Sequence, residues 1–523
     1  MNLLRAAARI SSLTMLSRIT GLVRDLLIAR FFGAGVETDA FAVAFRIPNL
    51  LRRLFAEGAF AQAFVPIFSE VKNRQGPERT RELLSHVVSA LFWVLLAVSI
   101  AGVIAAPLLV AAIATGFRDS AAFGLATLLT RWMFPYIFFM SLVACAGGVL
   151  NTFGRFAVPA FTPVLLNASM IGLILLAGRG LEPPILVLGV GVLVGGVLQL
   201  AIQVPALARL GMLPRIGPPA RAFADPGVRR ILRQMLPAIF AVSVAQLSLI
   251  INTNIASHLG TGSNSWLYYA DRLMEFPTAL LGVAVGTVLL PSLSAAHAEN
   301  DPEHYRRLLD WGLRLTCLLA LPAALGLAIL GDGLLGAMFL FRDGLFTARD
   351  VVKSASALQG YAWGLLGIIG VKILAPGFYA RQDVRTPVRI GLIVLAATQA
   401  VNLVLVPWLA HAALAWSISI GALCNSALLL LGLHRRQIYT PVVAQWRGFL
   451  ARLALALTGL ALFLLWVEKT YPFDAFVPAS PLVRIGWLLG AVGAGGSLYG
   501  VLLWMTGFRA RDFVLRSQLG SAR

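Results

Sequence analysis

The chain has 523 residues, of which 59% are hydrophobic and only 13% charged, where a soluble domain carries roughly 25% charged residues. That balance excludes a water-soluble globular protein and makes the bilayer the solvent. A formal net charge of +20 would point to nucleic acid in a soluble protein, but here the arginines sit largely in short loops between apolar runs, a pattern that orients a membrane protein, and no nucleic-acid partner is expected.

In chain order, apolar segments bounded by turn residues and charges fall near 10–32, 39–70, 82–115, 122–152, 157–178, 184–208, 230–259, 264–296, 308–331, 351–380, 386–407, 410–434, 448–467 and 482–507. Runs such as Val87 to Thr115 are long enough to cross a hydrocarbon layer that needs ~20 apolar residues. The expected fold is therefore all-α, a polytopic membrane protein of about fourteen transmembrane helices. Met1 to Arg9 is basic, but Arg18, Arg24, Asp25 and Arg30 interrupt the adjoining apolar segment too often for a signal-peptide core. This stretch is expected to remain as the first helix. Placing the N-terminus in the cytoplasm puts Lys72, Arg74, Arg79, Arg81, Arg155, Arg215, Arg306, Arg381 and Arg435 on that side, and chiefly Arg118, Arg179, Arg342, Arg349 and Lys469 on the other. Both termini are then cytoplasmic, which an even number of crossings requires.

A weak internal repeat organises the segments. Phe32-Gly33-Ala34-Gly35 echoes Leu259-Gly260-Thr261-Gly262, and Phe153-Gly154-Arg155 echoes Phe378-Tyr379-Ala380-Arg381, at offsets of about 225–228 residues. The domain expectation is an N-lobe over 1–225, a C-lobe over 226–440, and an appended helix pair with a cytoplasmic tail over 441–523.

The chemistry rests on charge inside the bilayer, where a charged side chain costs ~2.5–3.5 kcal/mol on insertion scales and generally lines a cavity or has a partner. Segments one, two and eight hold Arg18, Arg24, Asp25, Arg30, Asp39, Arg46, Arg52, Arg53, Glu57, Asp271, Arg272 and Glu275. Arg18 and Arg24 lie some 120° apart around an ideal helix, so they converge only if the helix bends, and Gly21 is a place for a bend. Arg53 and Glu57, four residues apart, can pair and leave Arg52 to point elsewhere. The simplest assembly has Arg18, Arg24, Arg52 and Arg272 facing one cavity as substrate-binding residues, with Asp39, Arg53, Glu57, Asp271 and Glu275 as ion-pair partners or gates. The alternative for each is a structural ion pair or a side chain that snorkels to the interface. Guanidinium groups stay charged when desolvated and donate in a planar fork that suits phosphate oxygens; several in one cavity imply an anion. Prolines inside apolar segments, at Pro48, Pro135, Pro163, Pro237, Pro277, Pro322 and Pro376, permit bends that an alternately opening protein uses.

Enzyme signatures are missing. The six histidines are scattered, and Cys145, Cys317 and Cys424 stand alone in apolar stretches with neither a disulfide framework nor metal-ligand spacing. There is no G-x-S-x-G elbow and no Walker A sequence. No metal, cofactor or direct use of ATP is expected.

Ser17-Arg18-Ile19-Thr20-Gly21-Leu22-Val23-Arg24-Asp25 and Pro48-Asn49-Leu50-Leu51-Arg52-Arg53-Leu54-Phe55-Ala56-Glu57-Gly58 resemble the MurJ (MviN) family of bacterial lipid II flippases. Tyr268-Tyr269-Ala270-Asp271-Arg272-Leu273-Met274-Glu275-Phe276-Pro277 and Ala375-Pro376-Gly377-Phe378-Tyr379 extend the resemblance into the second lobe. It implies a fourteen-helix member of the multidrug/oligosaccharidyl-lipid/polysaccharide (MOP) exporter superfamily in the bacterial inner membrane. Its substrate would be lipid II, the undecaprenyl-diphosphate-linked peptidoglycan precursor, carried from the cytoplasmic to the periplasmic leaflet for cell-wall synthesis. It further implies that Arg18, Arg24, Arg52 and Arg272 line the central cavity, that Asp39, Glu57 and Asp271 matter, and that the appended helices form a groove for the polyprenyl tail. The membrane potential is the expected drive. Some relatives use a sodium site, but here segment seven has no acid and only Asp383 lies near the start of segment eleven, which leaves a bound cation open. Membrane lipids are expected partners, and the cell-wall synthesis machinery is left open as one. An exporter of another polyprenyl-linked glycan or of a drug is the alternative, and a cationic-drug exporter should lack the arginine cluster.

Overall fold

The computed structural model describes residues 3–52, 60–177, 180–476 and 480–509, with the side chains of all of these except 3–11, 51–52, 236–245, 279–288, 474 and 476. Among the described residues the chain is helical throughout, with no strand. It divides into two compact units, Met1–Ser265 with Arg342–Phe346, and Trp266–Phe341 with Thr347–Arg523.

The first unit contains α1 (Leu3–Phe32), α2 (Val36–Arg52), α3 (Phe60–Arg74), α4 (Gly76–Ile104), α5 (Ala106–Ile113), α6 (Ala121–Met133), α7 (Tyr136–Thr152), α8 (Ala157–Ala177), α9 (Leu186–Ala201), α10 (Gln203–Arg209), α11 (Pro219–Ala224) and α12 (Pro226–Ser257). Then come α13 (Ser263–Ala298), which enters the second unit at Trp266, α14 (Pro302–Ile329), α15 (Gly331–Phe339), α16 (Ala348–Leu374), α17 (Pro376–Tyr379), α18 (Arg385–Leu409), α19 (His411–Arg435), α20 (Val443–Thr470) and α21 (Pro481–Met505). Ten spans among the described residues are long and apolar enough to cross a membrane: α4, α6–α7, α8, α9–α10, α14, α16–α17, α18, α19, α20 and α21. The other four expected segments fall on α1, α2–α3, α12 and α13. These are the helices that carry the intramembrane charges, or that lie in part outside the described set.

Local chemistry sets the helix ends. Asp225 accepts from the N–H groups of Gly227 (2.7 Å) and Val228 (3.3 Å) ahead of Pro226, an N-cap followed by a proline in the one turn where its missing N–H does no harm. Asp301 and Pro302 start α14 in the same way, and Thr347 with Asp350 forms a capping box on α16. At the close of α1, Gly33 adopts φ +65°, and a Cβ there would lie 2.5 Å from the Leu345 carbonyl oxygen, so the α1 terminus needs glycine for both conformation and space. Pro135 and Pro376 fall where α6 gives way to α7 and α16 to α17, whereas Pro48, Pro163, Pro277 and Pro322 sit inside continuous helices.

In the first unit, Phe60, Phe64 and Phe68 stack along α3 with centroids 5.0 and 5.1 Å apart, in a core with Leu83, Val87, Cys145, Val149, Ile231 and Met235. Residues 211–225 run along α4 as a strap. Gly217 N–H donates to Ser89 Oγ (2.8 Å), Trp93 Nε1 to the Gly217 carbonyl (2.9 Å), and Asp225 Oδ2 meets Arg79 (2.8 Å) and His86 Nδ1 (2.9 Å). In the second unit, Gly360, Gly364, Gly367 and Gly370 line the face of α16 that meets α19. A Cβ on Gly367 would lie 2.5 Å from the backbone at Ala422 and Leu423, the small-residue packing that lets two membrane helices approach backbone to backbone. The α20–α21 pair packs on α14 through Leu318, Leu453, Leu460, Leu464, Ala491 and Tyr499.

Candidate functional site: the charged residues of α1, α2 and α13

Arg24 is 6% exposed and fully engaged. Its Nε (3.0 Å) and Nη2 (2.7 Å) donate to Asp25 Oδ1, and Nη1 donates to Asn167 Oδ1 on α8 (2.9 Å). Asn167 turns its amide the other way, donating to the Ser17 carbonyl (3.0 Å) and to Thr20 Oγ1 (3.2 Å). It reaches α1 across Gly21, whose Cβ, if present, would stand 3.5 Å from Asn167 Nδ2. One amide thus fixes the orientation of Arg24 and holds the preceding turn of α1.

Arg18, six residues earlier, is half-buried and forms no ion pair with a described residue. Arg30, at the end of α1, pairs with Asp343 (2.5 Å). Of the arginines whose side chains are described in α1, Arg18 is therefore the one that no described carboxylate pairs with.

Asp39 is 2% exposed. Its carboxylate accepts from Gly262 N–H (2.6 Å), Ser265 N–H (2.8 Å) and the Ser265 hydroxyl (2.6 Å). It therefore sits on the unsatisfied N–H groups at the start of α13, where the helix dipole favours negative charge. This clasps α2 to the segment between α12 and α13. Arg46 of α2 donates to Thr253 Oγ1 (2.5 Å) and the Leu249 carbonyl (3.4 Å) on α12.

On α13, Arg272 pairs with Glu275 (2.9 Å) and lies over the Tyr268 ring, 4.9 Å from its centroid. Asp271 is half-buried beside it. Arg53, Glu57 and the side chain of Arg52 lie outside the described residues. The structure thus joins Arg24 to Asp25 and Asn167 and Asp39 to the α13 start within the first unit, and Arg272 to Glu275 within the second.

Sequence reasoning did not single out Asn167, although a lone amide in the apolar run 157–178 is the signal that would have found it. Nor did it anticipate that Asp39 would be satisfied by backbone N–H groups rather than by an arginine. Asp383, the one acid near the start of segment eleven, accepts from Thr386 N–H (3.1 Å) and Thr386 Oγ1 (2.7 Å) and pairs with Arg436. Burial pushes its carboxyl up, but the Thr386 and Arg436 contacts outweigh that and bring it down to about 2. It acts as a cap on α18.

The profile of the family described as lipid II flippase MurJ matches residues 28–483. The lipid II flippase MurJ of Burkholderia cenocepacia is 51% identical over 520 residues, covering 99% of this chain and 100% of that protein. The probable lipid II flippase MurJ of Vibrio cholerae is 40% identical over 518 residues, covering 98% and 97%. Among solved structures, a lipid II flippase MurJ in an inward closed conformation superposes with a TM-score of 0.79 at 25% identity, over 96% of this chain and 99% of that one. An inward-facing multidrug resistance MATE transporter of the MOP superfamily matches with a TM-score of 0.68 at 15% identity over 83% of this chain, a likeness of fold alone. The matched proteins are transporters and not enzymes, and this multi-pass membrane chain belongs to the lipid II flippase MurJ family.

Proposed function

We propose that this protein is a flippase that carries lipid II from the cytoplasmic to the periplasmic leaflet by alternating access, working in the bacterial inner membrane with both termini in the cytoplasm. The observation that carries the reading is the near-complete, 51% identical alignment with a protein named a lipid II flippase. The lipid diphosphate docks on the guanidinium groups of Arg18, Arg24, Arg52 and Arg272. Arg18, which pairs with no described carboxylate, supplies charge, while Arg24 is oriented by Asn167 and must exchange part of its bond to Asp25 for phosphate. Arg272, stacked on Tyr268, presents a fork whose contact with Glu275 is replaced in the same way. The Asp39 clasp at the start of α13 is the gate that opens to release the substrate outward. The membrane potential works on charge at ~2.3 kcal/mol per elementary charge per 100 mV and returns the emptied, positively charged cavity inward, with no cofactor.

Proteoliposomes containing the purified chain test this. Lipid II should exchange leaflets at least about tenfold faster than in protein-free vesicles, and a cationic dye should not move. Transport of the dye, or of a different polyprenyl-linked glycan in place of lipid II, would redirect the assignment to the alternative exporter reading.

A further inference from the structure

Arg484 stands in the first turn of α21 and is 2% exposed, the bulkiest fully buried side chain among the described residues. The buried face of α21 runs Arg484, Leu488, Ala491, Gly495, Tyr499, one stripe at helical spacing that is closed at its N-terminal end by a guanidinium. On either side of the arginine the helix presents apolar residues outward: Leu482 is 81% exposed and Leu489 67%, with Val483 and Ile485 beside them. Next along the helix, Trp487 packs against Phe473 with centroids 5.9 Å apart. Both rings lie against α15 where Gly333 and Gly336 make room, since a Cβ on Gly336 would stand 2.1 Å from the Phe473 ring.

Among the described residues no carboxylate pairs with Arg484, and its Nε is sealed from solvent without an acceptor. Arg24, comparably buried, has Asp25 and Asn167. A guanidinium does not shed its proton in a protein, and a buried charge left unpaired is among the more destabilising features a fold can carry. No described side chain supplies the counter-charge, and an anion from outside the chain would supply it. The outward surface here is apolar on a helix long and apolar enough to cross a membrane, the kind of surface acyl chains cover, so the anion at hand is part of a lipid.

We propose that Arg484 is a binding site for the phosphate group of a membrane phospholipid. Its planar fork takes two non-bridging phosphate oxygens, while the acyl chains lie along Leu482, Ile485 and Leu489. The bound lipid supplies the missing charge and holds the appended α20–α21 pair together at its connector end. This site is separate from the charged residues of α1, α2 and α13 and does not rest on the flippase reading.

The test uses the full chain, purified and stripped of lipid in detergent, and counts lipid adducts by native mass spectrometry on adding phosphatidylglycerol. Arg484→Gln should bind the lipid about tenfold more weakly than the wild type, and phosphatidylglycerol should raise the thermal midpoint of the wild type but not of the variant. Diacylglycerol with the same chains, which lacks only the headgroup, tests the unaltered protein and should bind about tenfold more weakly than phosphatidylglycerol. Equal binding of phosphatidylglycerol by wild type and Arg484→Gln, or of phosphatidylglycerol and diacylglycerol by the wild type, overturns the proposal. An Arg484-dependent rise in midpoint with inorganic phosphate but none with the lipid overturns the lipid assignment.

Discussion

Replacing Asp39 with asparagine keeps the shape of the side chain and removes its charge. The carboxylate accepts three hydrogen bonds of 2.6–2.8 Å at 2% exposure, and each bond to a charged acceptor is worth about 1.5–3 kcal/mol net. Asparagine retains one oxygen as a neutral acceptor and turns an N–H₂ donor towards the donors that the other oxygen served. The loss is therefore about 2–5 kcal/mol, enough to raise the open population of the clasp at least about tenfold, at 1.4 kcal/mol per factor of ten. Hydrogen exchange read by mass spectrometry reports it directly, because the amides of Gly262 and Ser265 are the donors. In Asp39→Asn, peptides covering 260–266 should exchange at least about tenfold faster, while peptides around Asp310 and Trp446 keep their rates. Unchanged exchange over 260–266 would refute the clasp.

Asp225 ties the 211–225 strap to α4. Burial raises its carboxyl, but the hydrogen bonds from His86 and Arg79 outweigh that and hold it below the ordinary carboxylate range. A depressed folded value means the stabilisation is complete above the unfolded carboxylate range and fades as pH falls through the folded one. Acidification should therefore speed exchange in peptides over 215–225 of the wild type beyond the intrinsic pH effect, and Asp225→Asn should abolish that excess. Asp310 accepts from Tyr439 and Trp446 (2.7 Å each) and pairs with Arg314 (2.7 Å); Asp310→Ala should cost about 2–4 kcal/mol, seen as a lower thermal midpoint, whereas Glu303→Ala, at a surface pair with Arg306, should stay within about 0.5 kcal/mol. Gly367→Ala drives a methyl into the α19 backbone and should destabilise by about 1–3 kcal/mol, measured as the tryptophan-fluorescence unfolding midpoint in detergent; a neutral result would mean that α16 and α19 are less closely apposed than their glycines indicate.

The helices were legible because each apolar run is bounded by Gly, Pro or Arg, and all fourteen expected segments coincide with described helices in whole or in part. What the pattern concealed was the breaking of single segments into two helices, as at Pro135 and Pro376, since a proline reads the same whether it bends a helix or divides it. The charged residues of the site were legible one by one, because Arg18, Arg24, Asp39 and Arg272 stand out against an apolar background. Their partners were not. Asn167 is 143 residues from Arg24, and the groups that satisfy Asp39 are mostly backbone N–H groups, which carry no side-chain signature. Arg484 was passed over because a single arginine at the start of a final segment reads as an interfacial anchor, and only packing shows that it is buried.

The central claim, that the intramembrane arginines move a lipid diphosphate, is tested most directly by leaflet-resolved lipid II transport in cells depleted of their native flippase. Such cells would be complemented with this chain or with Arg18→Ala, Arg24→Ala, Arg52→Ala or Arg272→Ala at matched expression. The wild type should restore outward movement, and each arginine variant should reduce it by at least about tenfold, in line with the loss of a charge-assisted phosphate contact. Failure of the wild type would contradict the lipid II assignment, and normal transport by all four variants would contradict docking on the arginines.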